Sequence, residues 1–123
     1  MNKEIGKITK RIINVLKLLE EDEKLIFIGD SNIEHIKNTH PEDFKKYGND
    51  IKNIIANPTY LARNEKKNSI EFIKEYKIDN DFVLVAVRVS SRRVHFVRTM
   101  YVMAKEKVEK YFKHGYFIKV EKK

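Results

Sequence analysis

Six consecutive positions, Phe82-Val83-Leu84-Val85-Ala86-Val87, carry no polar side chain. Strand side chains alternate between two faces, so such a run suits a sheet strand covered on both sides. Its neighbours support that reading. Asp79-Asn80-Asp81 is a tight turn before it, and Ser90 to Arg93 is a turn after it. Upstream, Ser69 to Ile78 alternates, with Ile70, Phe72, Tyr76 and Ile78 on one face and Glu71, Glu75 and Lys77 on the other. Downstream, Val94 to Met103 is a second, mostly two-sided strand. Thr59 to Arg63 makes a short strand before the polar turn Asn64 to Asn68. Together these segments predict an antiparallel meander.

The residues before Pro58 have a different texture. Lys3 to Glu21 places Ile5, Ile8, Ile12, Val15 or Leu16, and Leu19 at spacings of three and four, which predicts an amphipathic helix. Leu25 to Ile28 reads as a short buried strand closed by Gly29. Asp30 or Ser31 then caps a helix, with Glu34 completing a capping box, and Pro41 stops that helix near Thr39. A further helix begins at Pro41 and ends at Asn57-Pro58, weakened in its middle by Gly48. At the other end of the chain, Ala104 to His114 predicts a last helix carrying Val108, Tyr111 and Phe112. Gly115 caps it, and Tyr116 to Val120 forms an edge strand. The expected fold is α+β, with N-terminal helices packed on a four- to five-stranded antiparallel meander and a C-terminal helix. At 123 residues the chain is one globular domain, with residues 1–24 as an N-terminal helix and 25–123 as the main body. The apolar face of residues 3–21 is a candidate dimer contact.

Charge divides along the same line. Residues 1–59 hold ten Lys/Arg and ten Asp/Glu, whereas residues 60–119 hold fourteen against seven, so +7 of the net +8 lies in the strand-rich half and Glu121, Lys122 and Lys123 add the last unit. Leu84 to Arg98 contains Arg88, Arg92, Arg93 and Arg98 and no acid. Arginine forks bind phosphate bidentately and stack on bases, so this stretch points to a polyanionic partner. Cysteine is absent, which excludes disulfide scaffolds, thiolate zinc sites and cysteine nucleophiles. No apolar run approaches the ~20 residues of a membrane span. Lys7, Lys10, Arg11 and Lys17 would interrupt a signal peptide, so the expected location is the cytoplasm, with no membrane partner.

Arg98 is the most informative single residue. Simple alternation sets it among Val94, Phe96, Met100 and Val102, where it needs a carboxylate such as Glu71 or Glu75, or a bound phosphate. Arg88 on the neighbouring strand and Lys74 on the strand beyond raise the same question. Thr99 and Tyr101 fall on the opposite face with His95, where their hydroxyls suit a phosphate or ordinary strand propensity. His35 and His40 lie about 140° apart on a helix, so they are not a same-face metal pair. No ligand spacing suggests a metal, and no glycine-rich loop or serine elbow suggests a nucleotide cofactor or hydrolase triad. Histidine remains the natural proton-transfer group at neutral pH. His114, beside the last helix's C-terminus, suits the dipole there.

The stretches Ile28-Gly-Asp-Ser-Asn-Ile-Glu-His35-Ile-Lys-Asn-Thr-His40-Pro-Glu-Asp-Phe44, Ile54-Ile-Ala-Asn-Pro58-Thr-Tyr60, Phe82 to Ser90 and Val97-Arg98-Thr99-Met-Tyr101 resemble a known pattern. It is similar to the phage and mobile-element branch of the barnase, EndoU, colicin-D and RelE-like (BECR) ribonucleases. The likeness runs from about Leu25 to Val120 and leaves the first helix outside. It implies a curved antiparallel sheet behind N-terminal helices, and metal-independent, cofactor-free cleavage of RNA, with tRNA a candidate substrate. The substrate's 2′-hydroxyl would attack the adjacent phosphate, leaving a cyclic phosphate. By position, the resemblance implies catalytic roles for His35, His40, Arg98 and Thr99. Lys74, Arg88, Arg92, Arg93 and Tyr101 are the candidate substrate-binding residues. A toxin of this kind would have an immunity or antitoxin protein as a further partner. The alternative is a non-catalytic mobile-element protein that binds RNA or a host protein and inhibits it. Arg98 and Thr99 serve one site only if a bulge or twist brings them to the same face.

Overall fold

The computed structural model describes residues 1–19, 22–90 and 94–120. Their elements, in chain order, are β1 (Asn2–Ile8), α1 (Lys10–Leu16), β2 (Lys24–Gly29), α2 (Asp30–Thr39), α3 (Pro41–Tyr47), a 3-10 turn (Gly48–Asp50), α4 (Ile51–Ala56), β3 (Tyr60–Asn64), β4 (Ser69–Tyr76), β5 (Asp81–Arg88), β6 (Val94–Val102), α5 (Lys105–Lys113) and β7 (Ile118–Lys119). The strands form one sheet in the order β1-β2-β6-β5-β4-β3-β7. The apolar run therefore sits at the middle of the sheet as β5, between β4 and β6. The fold is α+β, and the meander β3-β4-β5-β6 is antiparallel as expected.

The sheet is larger than the expected four or five strands, and it is mixed. β2 joins β6 in parallel through Leu25↔Val94, Ile26↔His95 and Phe27↔Phe96, and β1 adds antiparallel to β2. A parallel pair needs a long crossover, and here the helices and the meander together supply it. The single helix expected over Lys3–Glu21 is replaced by β1 and the seven-residue α1. Gly6 would cost a helix interior about 1 kcal/mol relative to alanine. In the strand it is required, because a Cβ there would lie 2.6 Å from Ile55 Cγ2. Thr9 then starts α1 by accepting from the Ile12 amide at 3.2 Å. Lys17, with φ of 54°, ends it. Ile8, Ile12 and Leu16, the face expected to dimerise, are buried in the chain's own core.

Three smaller expectations also change. α2 is capped at Gly29, whose amide donates to Asn32 Oδ1 at 2.8 Å, rather than through Ser31 and Glu34. The helix from Pro41 is broken into α3, the 3-10 turn and α4 at Gly48, where a Cβ would lie a tight 3.0 Å from the Phe44 ring. β4 ends at Tyr76, and Ile78 is fully exposed in the following turn.

Two apolar layers flank the sheet. On one face α1 to α4 bury a large cluster that includes Ile8, Ile26, Ile36, Ile54, Phe72, Val85, Val97 and Met100. Each such buried side chain contributes roughly 1.5–3 kcal/mol. On the other face α5 covers a smaller cluster of Ala62, Ile73, Leu84, Ala86, Met103 and Tyr111. No helix among the described residues is long and apolar enough to cross a membrane.

Candidate active site

The strand β6 makes the site, because its ladder with β5 slips by one residue. Thr99 pairs with Ala86 and Val97 pairs with Val87, so Arg98 is an extra residue in a bulge. Beyond the bulge, the parity expected from simple alternation is reversed. Val97, Met100 and Val102 join the core under α1 to α4, whereas Thr99 and Tyr101 pair with Ala86 and Leu84 of the α5 layer. His95 does not share the face of Thr99 and Tyr101. It pairs with Ile26, is fully buried, and accepts from the Ser90 amide at Nδ1, 3.1 Å away. Arg98 is half-buried and forms no ion pair with Glu71 or Glu75. Among the described residues, nothing bonds its Nε or the Oγ1 of Thr99, although Thr99 is only 5% exposed. Two adjacent buried polar groups therefore lack partners at the bulge.

The cross-strand register extends this face into a floor, whose Ala62, Glu71, Ala86 and Thr99 are buried. One row reads Ala62, Glu71, Ala86, Thr99, and the next reads Asn64, Ser69, Arg88, Phe96, Phe27. Ala86 alone separates Glu71 from Thr99, which lie two strand spacings, about 10 Å, apart. The row of Tyr60, Ile73, Leu84 and Tyr101 belongs to the layer under α5, which bounds the floor on that side.

A polar chain joins the floor to the helices at the sheet's other edge. β2 stops at Gly29, so beyond Val97 β6 is flanked by α2 and α3 instead of a strand. Asp43 of α3 completes that edge by accepting from the Val102 amide at 3.0 Å. Pro41 forces the break between α2 and α3 at His40, and the His40 ring packs 5.2 Å from the Tyr101 ring. His40 Nδ1 lies 4.0 Å from Asp43 Oδ2. Lys107 of α5 donates to the Tyr101 hydroxyl, and its Nζ also lies 5.7 Å from the Tyr111 ring centroid. Tyr111 in turn donates to Glu71 Oε1 at 2.7 Å. Burial first, then the carboxylate it bonds, raises the Tyr111 pKa well above the ordinary phenol value, so Tyr111 remains a donor.

The residues singled out in the sequence are thus only partly gathered. Arg98, Thr99 and Tyr101 are neighbours on β6, His40 touches Tyr101 by its ring, and Arg88 lies in the next cross-strand row, exposed at the end of β5. His35 is exposed on α2, and no hydrogen bond or ring contact joins its side chain to that group. Lys74 belongs to the other face and donates to the Asn57 carbonyl beyond α4 at 3.0 Å. Arg92 and Arg93 lie outside the described residues. Glu71, Lys107, Tyr111 and Asp43 were not singled out as site residues. A signal for Glu71 was present: a β5 that is apolar on both faces requires both faces to be covered, so the charged side of β4 could not be wholly solvent-facing.

No three His, Asp or Glu side chains among the described residues cluster closely enough to hold a metal ion. The arrangement is that of an α+β protein with unpartnered donors, a histidine and a lysine set along a sheet face. The family model for phage-Barnase-EndoU-ColicinE5/D-RelE like nuclease 3 matches residues 3–110, and the chain belongs to that nuclease family. The match begins inside β1, so the N-terminal segment is part of the family's unit rather than outside it. No curated protein and no solved structure matches the chain.

Proposed function

We propose that this chain is a ribonuclease that cleaves RNA through attack of the substrate's own 2′-hydroxyl on the adjacent phosphate. The carrying observation is the bulge at Arg98. It leaves Arg98 Nε and Thr99 Oγ1 buried and unpartnered, on the strand that also carries Tyr101 beside His40. A buried polar group without a partner costs about 1–3 kcal/mol, and a bound phosphate oxygen would satisfy both.

In this reading the 2′-oxygen loses its proton to a base and bonds to phosphorus. The bond from phosphorus to the 5′-oxygen breaks, and that oxygen takes up a proton. The products are a 2′,3′-cyclic phosphate and a free 5′-hydroxyl. His40 handles a proton, because imidazole is the side chain suited to do so near neutrality. Arg98, Thr99 and Lys107 stabilise the charge that develops on the phosphate oxygens. Tyr101 holds His40 by ring contact and Lys107 through its hydroxyl, while Arg88 binds the RNA backbone farther along the floor.

The test is incubation with bulk tRNA and with total RNA in EDTA, followed by end-group analysis. Cyclic phosphate and 5′-hydroxyl ends are expected, and a DNA strand of the same sequence is left intact because it lacks the attacking group. His40→Ala and Arg98→Ala should each slow cleavage by on the order of 100- to 1,000-fold. Absence of product from the wild-type chain, or cleavage at the wild-type rate by both variants, overturns the proposal. Tight, salt-sensitive binding without product would favour an occluding RNA-binding protein instead.

A further inference from the structure

β1 and β7 are the outermost strands of the sheet, yet both border one cavity of about 560 Å³, together with α1, α4 and β3. The sheet thus curls enough to bring its two edges around one space. Such a volume lies within the range of small-molecule sites, about 300–1,000 Å³. The inner wall is Ile12, Val15, Ile55, Leu61 and Val120, each a member of the main core or packed against it. Among the described lining residues none belongs to β4, β5 or β6, so the cavity stands apart from the bulge.

The lining decides what fits. Among the described residues its one hydroxyl, Thr9 Oγ1, already accepts from the Ile12 amide, and the Val120 amide donates to the Thr59 carbonyl at 3.0 Å. Those residues include no aromatic ring, so a nucleobase has nothing to stack on. They do include three cations, Lys7 of β1, Arg11 of α1 and Lys119 of β7, and no Asp or Glu. All three cations are exposed, whereas the aliphatic wall is buried or half-buried. A positive mouth over an aliphatic interior matches an apolar tail with an anionic head. A sphere of this volume is about 10 Å across, too small to seat a helix about 10–12 Å wide along several turns. A single slender chain fits instead. Extended chains advance about 1.2 Å per bond, so about eight to ten carbons span the space.

We infer that this cavity is a binding site for a medium-chain fatty acid, with the alkyl chain along the aliphatic wall and the carboxylate among Lys7, Arg11 and Lys119. The inference does not rest on the ribonuclease reading, because the residues it uses take no part in the cleavage site. A ligand seated there bridges both outer strands of the sheet, so it also stabilises the folded chain.

The experiment titrates the wild-type chain with octanoate, decanoate and decyltrimethylammonium by calorimetry, below the concentrations at which they form micelles. Decanoate should bind about 10-fold more tightly than octanoate, as two further buried CH₂ groups imply. It should bind at least about 10-fold more tightly than the ammonium of the same chain length, and should raise the melting temperature. Val15→Phe, which fills the cavity from α1, should weaken decanoate at least about 10-fold while RNA cleavage is unchanged. Lys7→Glu combined with Lys119→Glu should remove the preference for decanoate over the ammonium. The same charge change at Lys45 and Lys77, which are exposed and do not line the cavity, should leave that preference in place. No binding of decanoate, equal affinity for the ammonium, or binding unaltered by Val15→Phe would each overturn the inference. If Val15→Phe does not fold, the two charge pairs decide, and an equal loss of preference in both would overturn it.

Discussion

The two faces of the sheet solve the same packing problem to different ends. Under α1 to α4 the face is filled by isoleucine, valine and phenylalanine, and the polar groups at its rim are paired. Tyr47 donates to Asp81 at 2.5 Å, Tyr76 donates to Asp50, and Lys46 stands 3.2 Å from Asp81. Under α5 the cover is one short helix, two of the inward residues are alanines, and Thr99, Arg98 and Glu71 keep unused bonding capacity. The first face shows how this chain satisfies buried polarity when stability alone is at stake. The surplus on the second face is then a property of the site and not a general looseness of the fold.

The sharpest way to break this contrast is to damage each face and read both stability and cleavage. Phe72→Ala, in the fully buried core beneath the helices, should cost about 3–5 kcal/mol in denaturant unfolding. Per folded molecule its cleavage should stay within a few-fold of wild type. Arg98→Ala should invert the pattern, with the 100- to 1,000-fold loss of rate stated above and little change in the midpoint. If both variants lose stability alone, the α5 face is not the active one.

Gly6→Ala probes the joint between β1 and α4. Its Cβ would meet Ile55 Cγ2 at 2.6 Å, and overpacking of this kind costs roughly 1–3 kcal/mol. Thermal unfolding should record that loss with RNA cleavage unaffected.

A matched pair of hydroxyl deletions sharpens the comparison further. Thr99→Val removes an unpartnered buried hydroxyl, so the melting temperature should hold or rise while cleavage falls about 10-fold. Tyr47→Phe removes a paired hydroxyl, so stability should fall by about 1 kcal/mol with cleavage unchanged. A drop in stability for Thr99→Val would mean that its hydroxyl has a partner in the folded chain.

The smallest effects are those of pH on the paired face. The hydrogen bond from Tyr47, with Lys46 in support, holds the Asp81 carboxyl below its ordinary value. A depressed folded value means that this contribution is complete above about pH 4 and is lost as pH falls through the folded pKa. Burial first, and then Asp81, pushes the Tyr47 phenol up to about 12. A raised folded value means a contribution that is complete below about pH 10 and lost as pH rises toward that point. Asp81→Asn should flatten the acid limb and Tyr47→Phe the alkaline limb of a stability-against-pH curve.

Much of this architecture was legible in the chain. The apolar run at Phe82 to Val87 marked the central strand, Pro41 and Pro58 marked the helix boundaries, and the need for a bulge followed from asking Arg98 and Thr99 to share a site. The strand at Asn2–Ile8 was hidden because Ile5, Ile8 and Ile12 repeat at helical spacing. What decides against a helix is Gly6, whose reason for being there is the distant Ile55. Lys74 was misleading for a related reason. It breaks an apolar strand face, yet its ammonium only completes the carbonyl of Asn57. Glu71 was passed over as a surface residue or an ion-pair partner, because the helix that buries it lies 34 residues farther along, at Lys105. In each case the missing term was a contact between residues far apart in sequence.

The central claim is that RNA is handled on the α5 face, at the bulge. The most direct measurement is the shift of backbone amide resonances on titration with a 2′-O-methyl RNA, which binds but lacks the attacking hydroxyl. The account predicts shifts concentrated at Glu71, Ala86, Arg88, Arg98, Thr99 and Tyr101, with Ile36, Ile54 and Tyr47 unmoved. Shifts confined to α1 to α4, or none at saturating RNA, would contradict it.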